Sequence, residues 1–391
     1  MLNKNYTRDL LGLEDVIVEQ VENNAGTMHI YLHMAKRVHS CPACNIQTSK
    51  VHDYRIQQVK DIESFGRTTI LHLRKRRHVC PTCGKRFYEE VPFLPHYHRM
   101  TNRMFAHIVS ALKEVRSMKS VAKEHHISST TVSRIFDQVH YPRPKLPKVL
   151  SIDEFKGNAG KKKFQCILTD PDKHEVLDIL PNRNLEELCG YFAGFDHRKE
   201  VRCIIMDMSS LFKSMAKSCF PKARIVADRF HVKRQVSWAL ENVRKRVQKE
   251  LSKEMRKYFK KSRWLLLKDP KKLTEEDVTK LEILLDVSED LRHAYLIKNQ
   301  FGDFMNCQSR HAARKELSKW IVFTQSYQLG EFDRCCETFY NWRSEILNYF
   351  SHNYTNGFTE GMNNKIKVLK RVSYGVRNFE RFRNRILYMN R

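Results

Sequence analysis

Residues Val201–His231 read VRCIIMDMSSLFKSMAKSCFPKARIVADRFH, and the fold turns on this stretch. Val201–Met206 is a near-continuous apolar run, the pattern of a strand buried on both faces, and Asp207 stands where it ends. Residues 209–219 carry helical patterning, Pro221 stops it, and Ala223–Ala227 is a further apolar strand that ends at Asp228. Upstream lie three β-rich runs, Val149–Phe155, Phe164–Thr169 and Val176–Leu180, and then a helical stretch over 184–195. The runs are separated by the turn formers Gly157-Asn-Ala-Gly160 and Asp170-Pro-Asp172.

Three strands, helix, strand, helix, strand is the order of a ribonuclease-H-like α/β sheet, in which the first and fourth strands are neighbours. Asp153 in the first strand and Asp207 leaving the fourth would then face one cleft. Such a cleft wants a third acid from a helix packed on the sheet. Glu360 begins one in Asn356-Gly-Phe-Thr-Glu360-Gly-Met-Asn-Asn-Lys-Ile-Lys367, with Asn363, Asn364 and Lys367 on roughly its face. Three carboxylates can hold two Mg²⁺ or Mn²⁺ ions about 4 Å apart, one activating the attacking oxygen of a phosphodiester reaction and one steadying the leaving oxygen. Taken singly, each acid is an ordinary cap or turn residue; the argument rests on all three falling in the right topological slots.

From Val232 the period changes to that of a helix. Val232, Val236, Leu240, Val243, Val247, Leu251, Met255 and Phe259 predict one amphipathic helix of about 40 Å. Asp269-Pro270 breaks it, Thr274-Glu-Glu-Asp277 has the form of a capping box, and helical patterns run on to about Tyr349. Residues 232–349 are therefore expected to be an all-helical insertion, with 148–231 and 350–391 forming the catalytic domain around it.

The N-terminal third is organised differently. Residues 1–34 form a preface, a short helical start from about residue 6 followed by an alternating strand that ends in Met28–His33. Residues 35–98 contain Cys41-Pro-Ala-Cys44 and Cys80-Pro-Thr-Cys83-Gly84, two knuckles able to present four thiolates to one structural Zn²⁺. The 35 residues between the knuckles hold strand-like runs, so the expectation is a zinc ribbon with an enlarged hairpin. A complete Cys₄ set leaves His39, His52 and His78 surplus, and they are expected to face solvent or phosphate. Residues 99–140 read as a helix-turn-helix, with small Ala122 at the packing point and a Ser-capped second helix from Ser128 or Ser129. Thr130, Thr131, Ser133 and Arg134 are its candidates for major-groove contact. Residues 141–147 hold three prolines in their last six positions, the mark of an extended spacer.

Composition agrees with a nucleic-acid partner. The 391 residues carry a net charge of +27, which points to a polyanion, while 41% hydrophobic content excludes a disordered polyelectrolyte. No apolar run approaches the roughly 18 residues of a membrane span, and the first residues lack a signal-peptide core. Eleven cysteines in a chain this long, four of them in tight pairs, fit a reducing cytosol better than a secreted disulfide scaffold.

Taken together, these residues resemble bacterial insertion-sequence transposases of the DDE class, specifically the ISL3 family. The likeness runs from Leu10-Leu-Gly-Leu13 through the cysteines and the helix-turn-helix to Ser151-Ile-Asp153-Glu-Phe, Asp207-Met-Ser, Ala227-Asp-Arg-Phe-His231 and Asn356-Gly-x-x-Glu360-Gly-x-Asn-Asn-x-Ile-Lys367. The resemblance implies Asp153, Asp207 and Glu360 as the metal-binding triad, on a sheet interrupted by the helical insertion. It also makes Asp228 and His231 look like a supporting pair, against the plain reading of Asp228 as a helix cap. Binding of terminal inverted repeats, strand cleavage and strand transfer on double-stranded DNA would follow, in a bacterial cytoplasm near the nucleoid and in a homodimer or higher assembly.

Charge placement suits that partner. Residues 233–263 hold twelve Lys/Arg against three Asp/Glu, and 365–391 hold nine against one, a lopsidedness that suggests phosphate tracking. Lys365, Lys367, Lys370 and Arg371 follow Glu360 closely enough to grip the strand being cut. Trp320 and Trp342 could stack on an unpaired base or simply sit in a core. A non-catalytic DNA-binding regulator and a shape-specific nuclease on the same sheet remain the alternatives.

Overall fold

The structure, a computed structural model, describes residues 11–160, 162–352 and 354–391. The helical start expected from about residue 6 falls almost wholly outside them. Two compact units emerge: Met1–Tyr141 with Val368–Val376 and Glu380–Met389, and Pro142–Lys367 with Arg377–Phe379 and Asn390–Arg391.

In the first unit, strands β1 (Val16–Asn24), β2 (Thr27–Met34), β3 (His39–Ser40), β4 (Gln47–Thr48), β5 (Val51–Ser64), β6 (Arg67–Val79) and β7 (Arg86–Tyr88) follow one another. One sheet runs β1-β2-β6-β5 with β7 also on β6, while β3 and β4 pair separately. The expected enlarged hairpin is β5–β6, turned at Phe65-Gly66 with φ of 54° and 70°, the left-handed pair that matches strand twist. Alternation in β2 buries Met28, Ile30, Leu32 and Met34 against Leu71 and Leu73 of β6. The preface is thus no separate piece: its second strand pairs in parallel with β6.

Helices α1 (Asn102–Ala111), α2 (Met118–Glu124) and α3 (Ser129–Phe136) form the helix-turn-helix, each started by a hydroxyl cap from Thr101, Ser117 and Ser128. Val121, Ala122, Val132, Ile135 and Phe136 fill its core. Glu380–Met389, expected with the catalytic block, belongs to this unit instead. Arg381 pairs with Asp137 at 2.6 Å, and Asn384 Nδ2 donates to the Val139 carbonyl at 3.0 Å. Buried Arg385 donates to the carbonyls of Glu114 and Arg116 in the turn that follows α1. Several cations of the tail are therefore committed to internal contacts, which its charge pattern alone does not reveal.

The second unit is built on β8 (Val149–Lys156), β9 (Phe164–Asp170), β10 (Glu175–Leu180), β11 (Cys203–Met206) and β12 (Arg224–Ala227), in the order β10-β9-β8-β11-β12. β8, β9 and β10 form an antiparallel meander, and β11 then lies parallel to both β8 and β12. This is the expected ribonuclease-H-like order. Helices α4 (Leu185–Ala193) and α5 (Ser210–Cys219) cover one face, packing Phe192, Phe212 and Met215 on Leu150, Ile152, Ile204 and Met206. The proline-rich stretch is extended but not loose, since the Leu146 side chain enters that core and its N–H donates to His197 Nε2 at 2.9 Å.

Helix α6 (Arg229–Glu250) opens the insertion and is shorter than predicted. Leu251 and Ser252 are extended, and the Ser252 hydroxyl caps a new helix, Lys253–Lys261, so the apolar periodicity continues across a break. Two arginines of this basic stretch hold the fold together. Arg244 is buried against Glu241 at 2.8 Å, and Arg246 reaches Asp290 and Glu331 at 2.8 and 2.7 Å. Among the described residues no helix is long and apolar enough to cross a membrane.

Both tryptophans prove to be core. Trp320 is 1% exposed, packs on Phe301 and Phe339, and donates Nε1–H to the Ile297 carbonyl at 2.9 Å. Trp342 is buried with the Lys213 ammonium 4.4 Å above its ring. Trp320→Ala should cost about 3–5 kcal/mol by opening a cavity, with Trp320→Phe costing less; chemical denaturation of the two variants measures the difference.

Candidate active site and metal centres

The candidate cleft is organised by a polar latch. Ser151 of β8 and Thr169 of β9 face each other in register, and both are fully buried. Across them lies the helix Gly357–Val372 with its preceding Asn356. Asn356, Thr359 and Asn363 fall at helical spacing and are all buried. Ser151 Oγ donates to Asn356 Oδ1, the Thr359 and Thr169 hydroxyls meet at 2.7 Å, and Thr359 Oγ1 donates to Ser151 Oγ at 3.2 Å. Asn363 Nδ2 then donates to Asp153 Oδ2 at 2.8 Å. Buried hydroxyls and amides are costly unless paired, so this network admits few registers of helix on sheet. Glu360 is carried into place by it.

The acids follow from strand register. Ser151 pairs with Ile205, so two residues further on Asp153 and Asp207 stand level on adjacent parallel strands. Asp228 continues the row after β12, its N–H held by the Met206 carbonyl at 2.8 Å. Burial raises the Asp153 carboxyl to about 6; the charges of Asp207 and Asp228 add to the rise, while the Glu154 N–H opposes it. Burial likewise raises Asp207, against the pull of His231. Asp207 Oδ1 is buried with no hydrogen-bond partner. An unpaired carboxylate oxygen in an acidic, desolvated row is what a divalent cation would complete.

Asp228 is a helix cap and also lies against His231. Its side chain caps α6 through the Phe230 N–H, and Oδ2 lies 2.7 Å from His231 Nδ1. Burial pulls the His231 imidazole down, but the hydrogen bond to Asp228 and the Asp228 charge outweigh it and leave it raised.

Glu360 opens onto a cleft of about 640 Å³ that Asp228, Lys233, Lys298, Asn299 and Asn356 also line. Lys298 is drawn down to about 8, first by burial and then by the neighbouring charge of Lys233. Neither lysine stood out in the sequence, where each is one cation among many. The carboxylates of Asp153, Asp207 and Glu360 are not among the described groups whose ligand atoms all lie within 4.8 Å of one another. A two-ion site does not demand that: a shared central acid touches both ions and each flanking acid needs to reach only one.

The zinc ligands do meet that standard. Cys41, Cys44, Cys80 and Cys83 have sulfurs within 4.8 Å of one another, three of the pairs at 3.5 Å. The knuckles match in backbone as well. Asn45 and Gly84, each following a second cysteine, have φ of 59° and 70° and donate to the Cys41 and Cys80 carbonyls at 2.9 and 3.1 Å. N–H groups of Cys83 and Thr82 directed at the Cys80 sulfur hold that thiol down at about 6. The surplus histidines are not all at the surface, for His78 is 1% exposed.

Of the candidate groove residues, Thr130 and Arg134 are exposed on α3. The other two are engaged within the motif: Thr131 Oγ1 meets the capping Ser128 Oγ at 2.8 Å, and Ser133 Oγ donates to Met118 Sδ at 3.0 Å. Lys367 and Arg371 are exposed, Lys365 and Lys370 partly so.

Comparison with known proteins places these features in one family. A model described as a transposase of the ISL3 type matches residues 150–386. A helix-turn-helix domain of transposase family ISL3 matches 89–140, and the zinc finger of transposases IS204, IS1001, IS1096 and IS1165 matches 37–84. The transposase for insertion sequence element IS1001 of Bordetella parapertussis is 26% identical over 395 residues, covering 98% of this chain and 97% of the relative. The transposase for IS1557 of Mycobacterium tuberculosis is 22% identical over 253 residues, 58% of this chain and 56% of the relative.

Removing one hydroxyl of the latch tests its weight. Thr359→Val should cost about 1–3 kcal/mol, because Thr169 and Ser151 lose a partner they cannot replace with water. Thermal unfolding measures it; an unchanged midpoint would show the helix is held by apolar packing alone.

Proposed function

Since this chain belongs to the ISL3 family of insertion-sequence transposases, we propose that Asp153, Asp207 and Glu360 are its catalytic metal-binding triad, supported by Asp228 and His231. The enzyme binds DNA and carries a structural zinc ribbon. The observation that carries the triad is the orphaned Asp207 oxygen beside Asp153, with Glu360 presented from a helix latched to the same strand. Mg²⁺ or Mn²⁺ bound there would polarise the phosphodiester and make water, or a freed 3′-hydroxyl, a competent nucleophile.

The chain's own groups prepare that reaction. The Asn363 amide and the Glu154 backbone N–H each hold one Asp153 oxygen, which fixes the orientation of that carboxylate. The Asp228–His231 pair sets an imidazole of raised pKa beside Asp153 and Asp207, where its charge when protonated would offset the repulsion of two carboxylates. Lys233 and Lys298 in the cleft offer charge to a scissile phosphate. Thr130 and Arg134 are the base-reading residues we favour on α3. Thr131 and Ser133 shape the helix they stand on, and Lys365, Lys367, Lys370 and Arg371 track the backbone. Cutting two ends in concert calls for a homodimer or larger assembly, acting at the nucleoid.

Glu360→Gln and Asp207→Ala should each abolish Mg²⁺-dependent nicking of an end-containing duplex while end binding persists. Cleavage that survives Glu360→Gln would remove that residue from the triad, and sequence-independent cutting by the parent would point to a repair-type nuclease. Arg134→Ala should weaken specific binding by about 1–3 kcal/mol and non-specific binding far less, read from titrations on end and scrambled duplexes.

A further inference from the structure

Beneath the four cysteines lies a second set of metal-ligand side chains. In each knuckle a histidine precedes the first cysteine by two residues, His39-Ser40-Cys41 and His78-Val79-Cys80. Alternate residues of a strand share a face, so each imidazole lies under its cysteine, about 7 Å along the chain. The backbone symmetry of the knuckles brings the rings together, with centroids 4.6 Å apart. Glu89, just beyond β7, completes the group: one ligand atom from each of His39, His78 and Glu89 lies within 4.8 Å of the other two.

His78 is the anomaly that needs explaining. It is 1% exposed, and neither ring nitrogen has a hydrogen-bond partner. Burying such a ring unpaired is costly. A metal ion would satisfy one of those two nitrogens, as it does in a ligating histidine. Glu89 is buried too, and its oxygens receive the Arg76 backbone N–H at 2.7 Å and the Arg76 guanidinium at 3.0 Å. Those bonds fix the orientation of the Glu89 side chain and leave lone pairs unused.

We propose that His39, His78 and Glu89 form a second divalent-cation site stacked under the zinc, taking a borderline ion such as Zn²⁺, Co²⁺ or Ni²⁺. Imidazole donors select these over Mg²⁺. Electrostatics favour the stack, because Zn²⁺ with four thiolates has a net charge of −2 and a dication with two neutral imidazoles and one carboxylate has +1. Three protein ligands leave one coordination position, and the half-buried His39 gives the ion its way in.

The test uses the full chain carrying Asp153→Asn and Asp207→Asn, so that the acidic cleft binds no ion. After loading with Co²⁺ and desalting, metal is counted by mass spectrometry and the thiolate-to-cobalt absorption is recorded. The parent should hold at least two equivalents. His78→Phe, an aromatic that can stack on Phe87, and His39→Ala should each lose one equivalent while the thiolate band stays at full intensity. A single equivalent in the parent overturns the proposal, as does full retention of metal in both histidine variants. Should His78→Phe lose the thiolate band through misfolding, His39→Ala alone decides by the same count.

Discussion

The catalytic half of this protein depends on five small polar side chains buried where apolar ones would ordinarily sit. Ser151, Thr169, Asn356 and Thr359 hydrogen-bond to one another, and Asn363 bonds to Asp153. An apolar contact is indifferent to sliding by an ångström, whereas a set of buried hydrogen bonds is not. Glu360 comes from a segment separated from the sheet by a whole helical insertion, and this latch returns it to one position. The acids can then be far apart in the chain without being loose in space.

Positive charge is divided by the fold into two uses. Arg244, Arg246, Arg381 and Arg385 are spent on buried or bridging contacts within a unit. Lys233 and Lys298 instead line the cleft onto which Glu360 opens. A guanidinium suits the first task because its rigid fork can satisfy several acceptors at once; an ammonium on a flexible stem suits the second. Net charge therefore announces a polyanionic partner while overstating how many cations meet it.

The ribbon shows the same economy of position. Two knuckles with equal backbone geometry gather the sulfurs, and the residues two places earlier are gathered by the same act. Whatever stands at those places meets its counterpart, and here both are histidines.

Much of this was legible in the one-dimensional pattern. Strand and helix order in 148–231, the cysteine knuckles, the helix-turn-helix and the helical insertion follow from apolar period, turn formers and ligand spacing, all local properties of the chain. Asp228 was legible as a cap for the same reason. The breaks in the pattern were not. Leu251-Ser252 splits a helix whose apolar period continues unbroken, and the sequence favoured a core place for the tryptophans of the insertion without excluding base stacking.

Sequence by itself determined the elements, their order and the kinds of chemistry available, because periodicity and side-chain type act over a few residues. Tertiary structure decided which of many similar residues meet: that Thr359 finds Thr169, that Arg385 turns inward to carbonyls, that the tail joins the helix-turn-helix and that His78 is sealed beside His39. Those pairings lie tens to hundreds of residues apart in the chain. Only the closing of the sheets and the burial of each polar group against a partner selects them.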